Sequence, residues 1–96
     1  MQIEDLRTKV LEMLKEHDLT GKELLRTLIA ENKEAIKTLG YDKYNVENPA
    51  AMGNFIAKEI MPHLGIPVYK EKINVNGKKR TLYSLNNNHK RVLVTS

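Results

Sequence analysis

Cysteine and tryptophan are absent from the 96 residues, and there is one phenylalanine, Phe55, beside four tyrosines. Without cysteine there is neither a disulfide framework nor a thiolate metal site. The apolar core must hold the fold alone, as it does where thiols are kept reduced, and a cytoplasmic location is expected. Proline and glycine number only three and five, and no low-complexity linker, repeat or internal domain boundary is visible. No apolar run approaches the roughly 18 residues of a membrane span, so no membrane association is expected. The charged, amphipathic start MQIEDLRTK is expected to open the mature chain rather than serve as a signal peptide. A chain of this length builds one domain, residues 1–96, around one modest core.

Chemistry-bearing motifs are scarce as well. There is no glycine-rich phosphate loop and no nucleophile elbow, and His17, His63 and His89 lack the spacing of a zinc site. The carboxylates fall chiefly on helix surfaces, where pairing with lysine accounts for them, as with Glu34 beside Lys33 and Lys37. Neither enzymatic activity nor a metal or cofactor is expected.

What is present is an uneven charge. The net charge is +4, yet residues 1–69 carry a balance of −2 and residues 70–96 a balance of +6. A local excess of one sign is the footprint of a face that meets a polyanion. Lysine on an exposed strand also guards against edge pairing, but this segment uses almost only one sign.

Ile3, Leu6, Val10, Met13 and Leu14 recur at helical spacing, which predicts a first helix over 3–16. Thr20-Gly-Lys-Glu23 is a capping box, with Leu19 placed to staple onto Leu24. A second helix is therefore expected over 21–39, with Leu24, Leu25, Leu28, Ile29, Ile36 and Leu39 as its apolar stripe and Gly40 at C′. A nine-residue connection follows, in which Tyr41, Tyr44 and Val46 can anchor the loop to the core. Asn48 then supplies an N-cap with Pro49 at N1, which starts a third helix over 49–64.

Two buried arcs compete on that third helix. An arc centred on Met52, Phe55, Ile56 and Ile60 places Glu59 in its middle. An arc rotated toward Met52, Ile56, Ile60 and Leu64 moves Glu59 to the margin and Phe55 to the opposite edge, with Gly53 and Ala57 allowing close helix contact. The rotated arc is the expectation, because it strands no charge. Both leave Asn54 and Lys58 facing outward. Pro62 should disturb the last turn and Gly65 end the helix.

Beyond Gly65 the pattern becomes extended. Asn76-Gly77 between two β-prone runs predicts a hairpin over 68–85 with a type I′ turn, pairing Lys70 with Tyr83. Its tip carries Lys72, Lys78, Lys79 and Arg80. A polar break at 86–90 and a short apolar end at Arg91–Val94 complete a tail, 86–96, which could add a strand or reach a partner subunit.

Three helices followed by a cationic hairpin resemble the winged helix-turn-helix family, an α+β fold with a C-terminal β-hairpin wing. The similarity runs roughly from Ile3 to Leu85. Its most specific stretch is MGNFIAKEIMPHLGIPVYKEKINVNGKKRTLYSL, Met52 to Leu85, which looks like a recognition helix ending in Leu-Gly-Ile and passing into a wing. Similar spacing occurs in small archaeal regulators and in phage or plasmid replication proteins. The chain departs from the simple family pattern in its nine-residue connection and in the single cation, Lys58, on the outward face of its third helix.

The resemblance implies a binder of double-stranded DNA, a transcriptional regulator with its third helix in the major groove and its wing on the backbone or in the minor groove. Asn48, Asn54, Phe55 and Lys58 are the candidate contacts on the helix. Asn54 has the amide geometry that reads adenine, and Phe55 could meet a thymine methyl. Lys70, Lys72, Asn76, Lys78, Lys79 and Arg80 are the candidate wing contacts to phosphate. A homodimer is the expected working form, joined by the first helix or by Arg91–Val94. The alternative is a protein-interaction module with an acidic partner, anchored by an exposed Phe55. RNA is disfavoured, because the five aromatics form no paired stacking platform.

Overall fold

A computed structural model describes residues 2–41, 43–87 and 91–94. It is an α+β fold in which three helical runs pack on a four-stranded antiparallel sheet. The first run, α1 (Ile3–Glu16), buries Leu6, Val10 and Leu14 and turns its charged face outward. A short strand, β1 (Leu19–Thr20), follows directly.

The second run, residues 21–37, starts at α2 (Gly21–Leu24). The capping box forms: the Thr20 hydroxyl accepts from the Glu23 amide at 3.2 Å, and the Thr20 amide donates to Glu23 Oε1 at 3.0 Å. Leu19 and Leu24, either side of that cap, are both buried. The run then widens into a π turn over Leu25–Ile29, tightens into a 3-10 turn over Ala30–Asn32 and ends as α3 (Lys33–Lys37). The uniform helix expected over 21–39 is thus interrupted. Asn32 Nδ2 donates to the Leu28 carbonyl at 2.6 Å, inserting a side chain into the backbone ladder, a known cause of such irregularity.

The third run, residues 49–63, opens as α4 (Pro49–Phe55) and passes through a π turn, Ile56–Ile60, into a 3-10 turn, Met61–His63. Pro62 lacks the amide that would continue the ladder, so the helix changes pitch around it. Arg7 of α1 donates to the Glu59 carbonyl at 2.9 Å near this break. Gly40 and Gly65, both at φ +82°, close the second and third runs.

Here the buried arc differs from the expected one. Phe55 is 0% exposed and lies in the core with Met52, Ile56 and Ile60. The rings of Tyr41 and Tyr44 each meet it edge-on at 5.5 Å between centroids. Glu59 tolerates its place because it is not stranded: the Tyr44 hydroxyl donates to its Oε1 at 3.1 Å and Lys43 Nζ lies 3.6 Å from the same atom. Gly53 and Ala57 are only half-buried, and a Cβ added at Gly53 would meet nothing within 4 Å, so no close helix contact requires that glycine.

β2 (Tyr69–Val75) and β3 (Lys78–Ser84) form the hairpin, one residue shorter at each end than expected, with Lys70 opposite Tyr83. Asn76 and Gly77 have φ of 53° and 79°, the positive values a type I′ turn requires. β1 pairs with β3 and β4 (Val92–Leu93) with β2, giving the order β1-β3-β2-β4. The tail therefore adds a strand within its own chain. Of the polar break, residues 88–90, including His89, lie outside the described residues, as do 95 and 96 of the tail. Among the described residues no helix is long and apolar enough to cross a membrane.

Candidate functional site

In a sheet, residues directly opposite one another share a face and neighbours along a strand alternate. The hairpin register therefore sorts its side chains. Lys70, Lys72, Asn74, Lys79, Thr81 and Tyr83 share one face, while Glu71, Ile73, Val75, Lys78, Arg80 and Leu82 take the other. The first face looks across an open cleft of about 970 Å³ at the third helical run and at the start of the second.

The cleft's helical side is small and almost uncharged, with Ala50, Gly53 and Ala57 lining it and Asn54 as the polar group among them. Lys22 enters from α2. Lys70, Lys72, Lys79 and Arg80 line the hairpin side. Arg80 and Glu71 belong to the other face by register and line the cleft nonetheless. Five cations thus line the cleft with one acid, Glu71, and that acid is already paired: Arg91 Nε lies 3.0 Å from its Oε1. Lys72 Nζ donates to Thr81 Oγ1 at 2.7 Å, which holds one ammonium along the sheet. Tyr83 packs beneath, 4.0 Å from where a Cβ on Gly21 would sit, and burial pushes its phenol above the usual range, so it stays neutral.

The expected site residues are distributed unevenly around this cleft. Asn54, Lys70, Lys72, Lys79 and Arg80 converge on it. Lys58 is exposed one turn beyond Asn54, and Asn76 and Lys78 are exposed at the hairpin tip, outside the cleft lining. Asn48 is exposed, but its Oδ1 accepts from the amides of Ala50 and Ala51 at 2.9 and 3.4 Å, so the oxygen serves as a helix cap. Phe55 is withdrawn from any ligand by complete burial and is removed from the candidate contacts, both as a base reader and as an anchor for a protein partner.

Two contributors escape the sequence reading. Lys22 reaches the cleft because β1 fastens the start of α2 to β3, and a two-residue strand leaves no alternation to detect. Arg91, read only as the edge of an apolar tail, neutralises Glu71 and also lies 2.9 Å from Asp18.

None of the aromatics offers an open stacking surface. Phe55, Tyr44 and Tyr83 are buried, and Tyr41 and Tyr69 are half-buried. No protein-family model matches the chain, and no curated protein or solved structure is significantly similar to it.

Proposed function

We propose that the chain is a winged helix-turn-helix protein that binds double-stranded DNA as a regulator of transcription, seating the polyanion in the cleft between its third helical run and its hairpin. The observation that carries this reading is the charge of that cleft: five cations and one neutralised acid around small helical residues. Small side chains let a phosphate backbone approach closely, while lysine and arginine replace its condensed counterions. With Asn54 the one polar group the cleft offers from the third run, base reading is sparse. Most of the affinity is then sequence-independent.

A working homodimer belongs to the same proposal. β4 is the last strand of the sheet and spends one edge on β2, so the contact falls to α1 or to β4, whose Val92 and Leu93 side chains are 63% and 46% accessible. The absence of an open aromatic platform argues against single-stranded RNA.

A salt series against mixed-sequence duplex DNA tests the reading. The logarithm of the binding constant should fall linearly with the logarithm of salt, with a slope of about −4.5 if the five cations each neutralise a phosphate. Duplex binding that is absent at low salt would sink the proposal in favour of an acidic protein partner, which the same cleft would attract.

A further inference from the structure

A second concavity, of about 270 Å³, opens between the second helical run, the loop before α4 and the start of α4. Its floor is apolar, made by Leu25, Ile29, Val46 and Met52. Its rim is cationic, with Lys22, Arg26 and Lys33 opposed by the carboxylate of Glu47. Glu47 is already committed to Lys33 at 3.3 Å. Among the described residues no ion pair engages Lys22 or Arg26, although like charges four residues apart on a helix repel. Two unanswered cations over an apolar floor complement one chemistry, a compact apolar body bearing a single anionic head.

The wall of this groove holds one of the two π turns among the described residues, the other being Ile56–Ile60. Leu25–Ile29 is the π turn of the second run, a feature that recurs at functional sites. The volume is below the usual range of about 300–1,000 Å³ for drug-sized ligands. It suits a medium alkyl chain or one substituted ring and is too short for the several turns of a partner helix. Lys22, Leu25 and Pro49 line both this groove and the cationic cleft.

We propose that this groove binds a small carboxylic acid with an apolar body, and that its occupation weakens polyanion binding in the adjoining cleft. The carboxylate sits between Lys22 and Arg26, and the apolar body packs on half-buried Leu25, above the buried Ile29 and Met52. Lys22 is thereby withdrawn from the cleft, and a negative charge is set beside it, within the roughly 8 Å over which physiological salt fails to screen. The ligand site stands by itself; its effect on the cleft rests on the duplex-binding reading.

Sodium octanoate, kept below its micellar range, is the probe, titrated into the isotopically labelled full chain and followed by amide chemical shifts. Saturable shifts confined to the neighbourhood of residues 22–30, 46 and 52 are expected. Octylammonium should produce none, and Arg26→Glu should raise the half-saturation concentration about tenfold, the loss of one charge-assisted contact. Arg26 is exposed, so this variant is expected to fold, and Arg26→Lys should restore most of the affinity. Shifts that fail to saturate, or that octylammonium reproduces, overturn the site. Saturating octanoate should then lower affinity for a duplex oligonucleotide at constant ionic strength, with acetate as the control. An unchanged affinity overturns the coupling alone, whereas a chain that binds no duplex even without octanoate fails the cleft reading and leaves the amide titration to judge the groove.

Discussion

Arg91 Nη2 lies 2.9 Å from Asp18 Oδ2 across 73 residues of chain, and the same guanidinium holds Glu71 through Nε at 3.0 Å. Its side chain is only 10% exposed. One residue thus fastens the tail to β2 and to the entry of β1, and it removes the acid nearest the cationic cleft. Burial pulls the guanidinium's pKa down, but the two carboxylates outweigh it and hold the group more basic than usual.

Removing that group should leave two carboxylates without their cation. Arg91→Ala is expected to destabilise the fold by about 1–3 kcal/mol, less than a fully buried pair costs because Asp18 and Glu71 keep some solvent. Arg91→Met, of similar length and apolar, should cost less than Ala when combined with Asp18→Asn and Glu71→Gln. Denaturant midpoints of these variants check both statements, and an Arg91→Ala midpoint equal to wild type would show that the tail is not fastened.

The contact between Tyr44 and Glu59 gives a pH signature. Burial, and then the hydrogen bond and charge of Glu59, raise the Tyr44 phenol above its ordinary value of 10.0. An unfolded tyrosine ionises near 10 while the folded one holds its proton, so the stabilisation is complete below pH 10 and is lost as pH rises toward the folded value. Tyr44→Phe should cost about 1 kcal/mol at neutral pH. Between pH 9 and 11 its melting temperature should then fall less than that of the wild type. Parallel curves would place the alkaline sensitivity elsewhere, with buried Tyr83 the next candidate.

Lys78 and Lys79 are adjacent, equally charged and both exposed, yet the strand register separates them: Lys79 lines the cleft opposite Asn74, and Lys78 lies opposite Val75 on the other face. Lys79→Ala should therefore reduce the magnitude of the salt slope by about 0.9, and Lys78→Ala should reduce it by less. Equal losses in a paired salt series would mean that the hairpin tip acts as an undirected cloud of charge.

Local signals made much of this legible. The Thr20–Glu23 capping box, the Asn48-Pro49 start and the Asn76-Gly77 turn each fix a few neighbouring dihedrals by contacts among residues close in sequence, and each formed where it was expected. The misplaced arc of the third run has a different cause. Periodicity sets Glu59 at the margin to avoid an unpaired charge, but the long loop supplies Tyr44 and Lys43 as partners, and periodicity within one helix cannot see a loop fold back. β1, β4 and the Arg91 contacts are non-local in the same sense. Two-residue strands carry no pattern of their own and exist only because β2 and β3 offer them edges. The cationic hairpin could be read from composition, whereas its division into a cleft face and an outer face needed the register.

The third run supplies the most discriminating test of function, because Asn54 and Lys58 are both exposed and only Asn54 lines the cleft. An amide that reads a base and an ammonium that meets a phosphate must differ in kind when each is removed. A lost bidentate base contact costs about 1–3 kcal/mol at one position of a preferred site and nothing elsewhere. Lys58→Ala should weaken every duplex about equally. Asn54→Ala should weaken the preferred site alone, leaving non-specific affinity near wild type, with circular dichroism confirming that the helix is intact. Neither substitution should unfold the chain, since both side chains face solvent and neither takes part in a cap. The ratio of specific to non-specific affinity, measured for both variants in one buffer after selecting a site from a random duplex library, separates the two roles. If no preferred site emerges, or if Asn54→Ala leaves the ratio unchanged, the small residues around Asn54 serve to admit the phosphate backbone, and recognition by this protein is a matter of shape and charge alone.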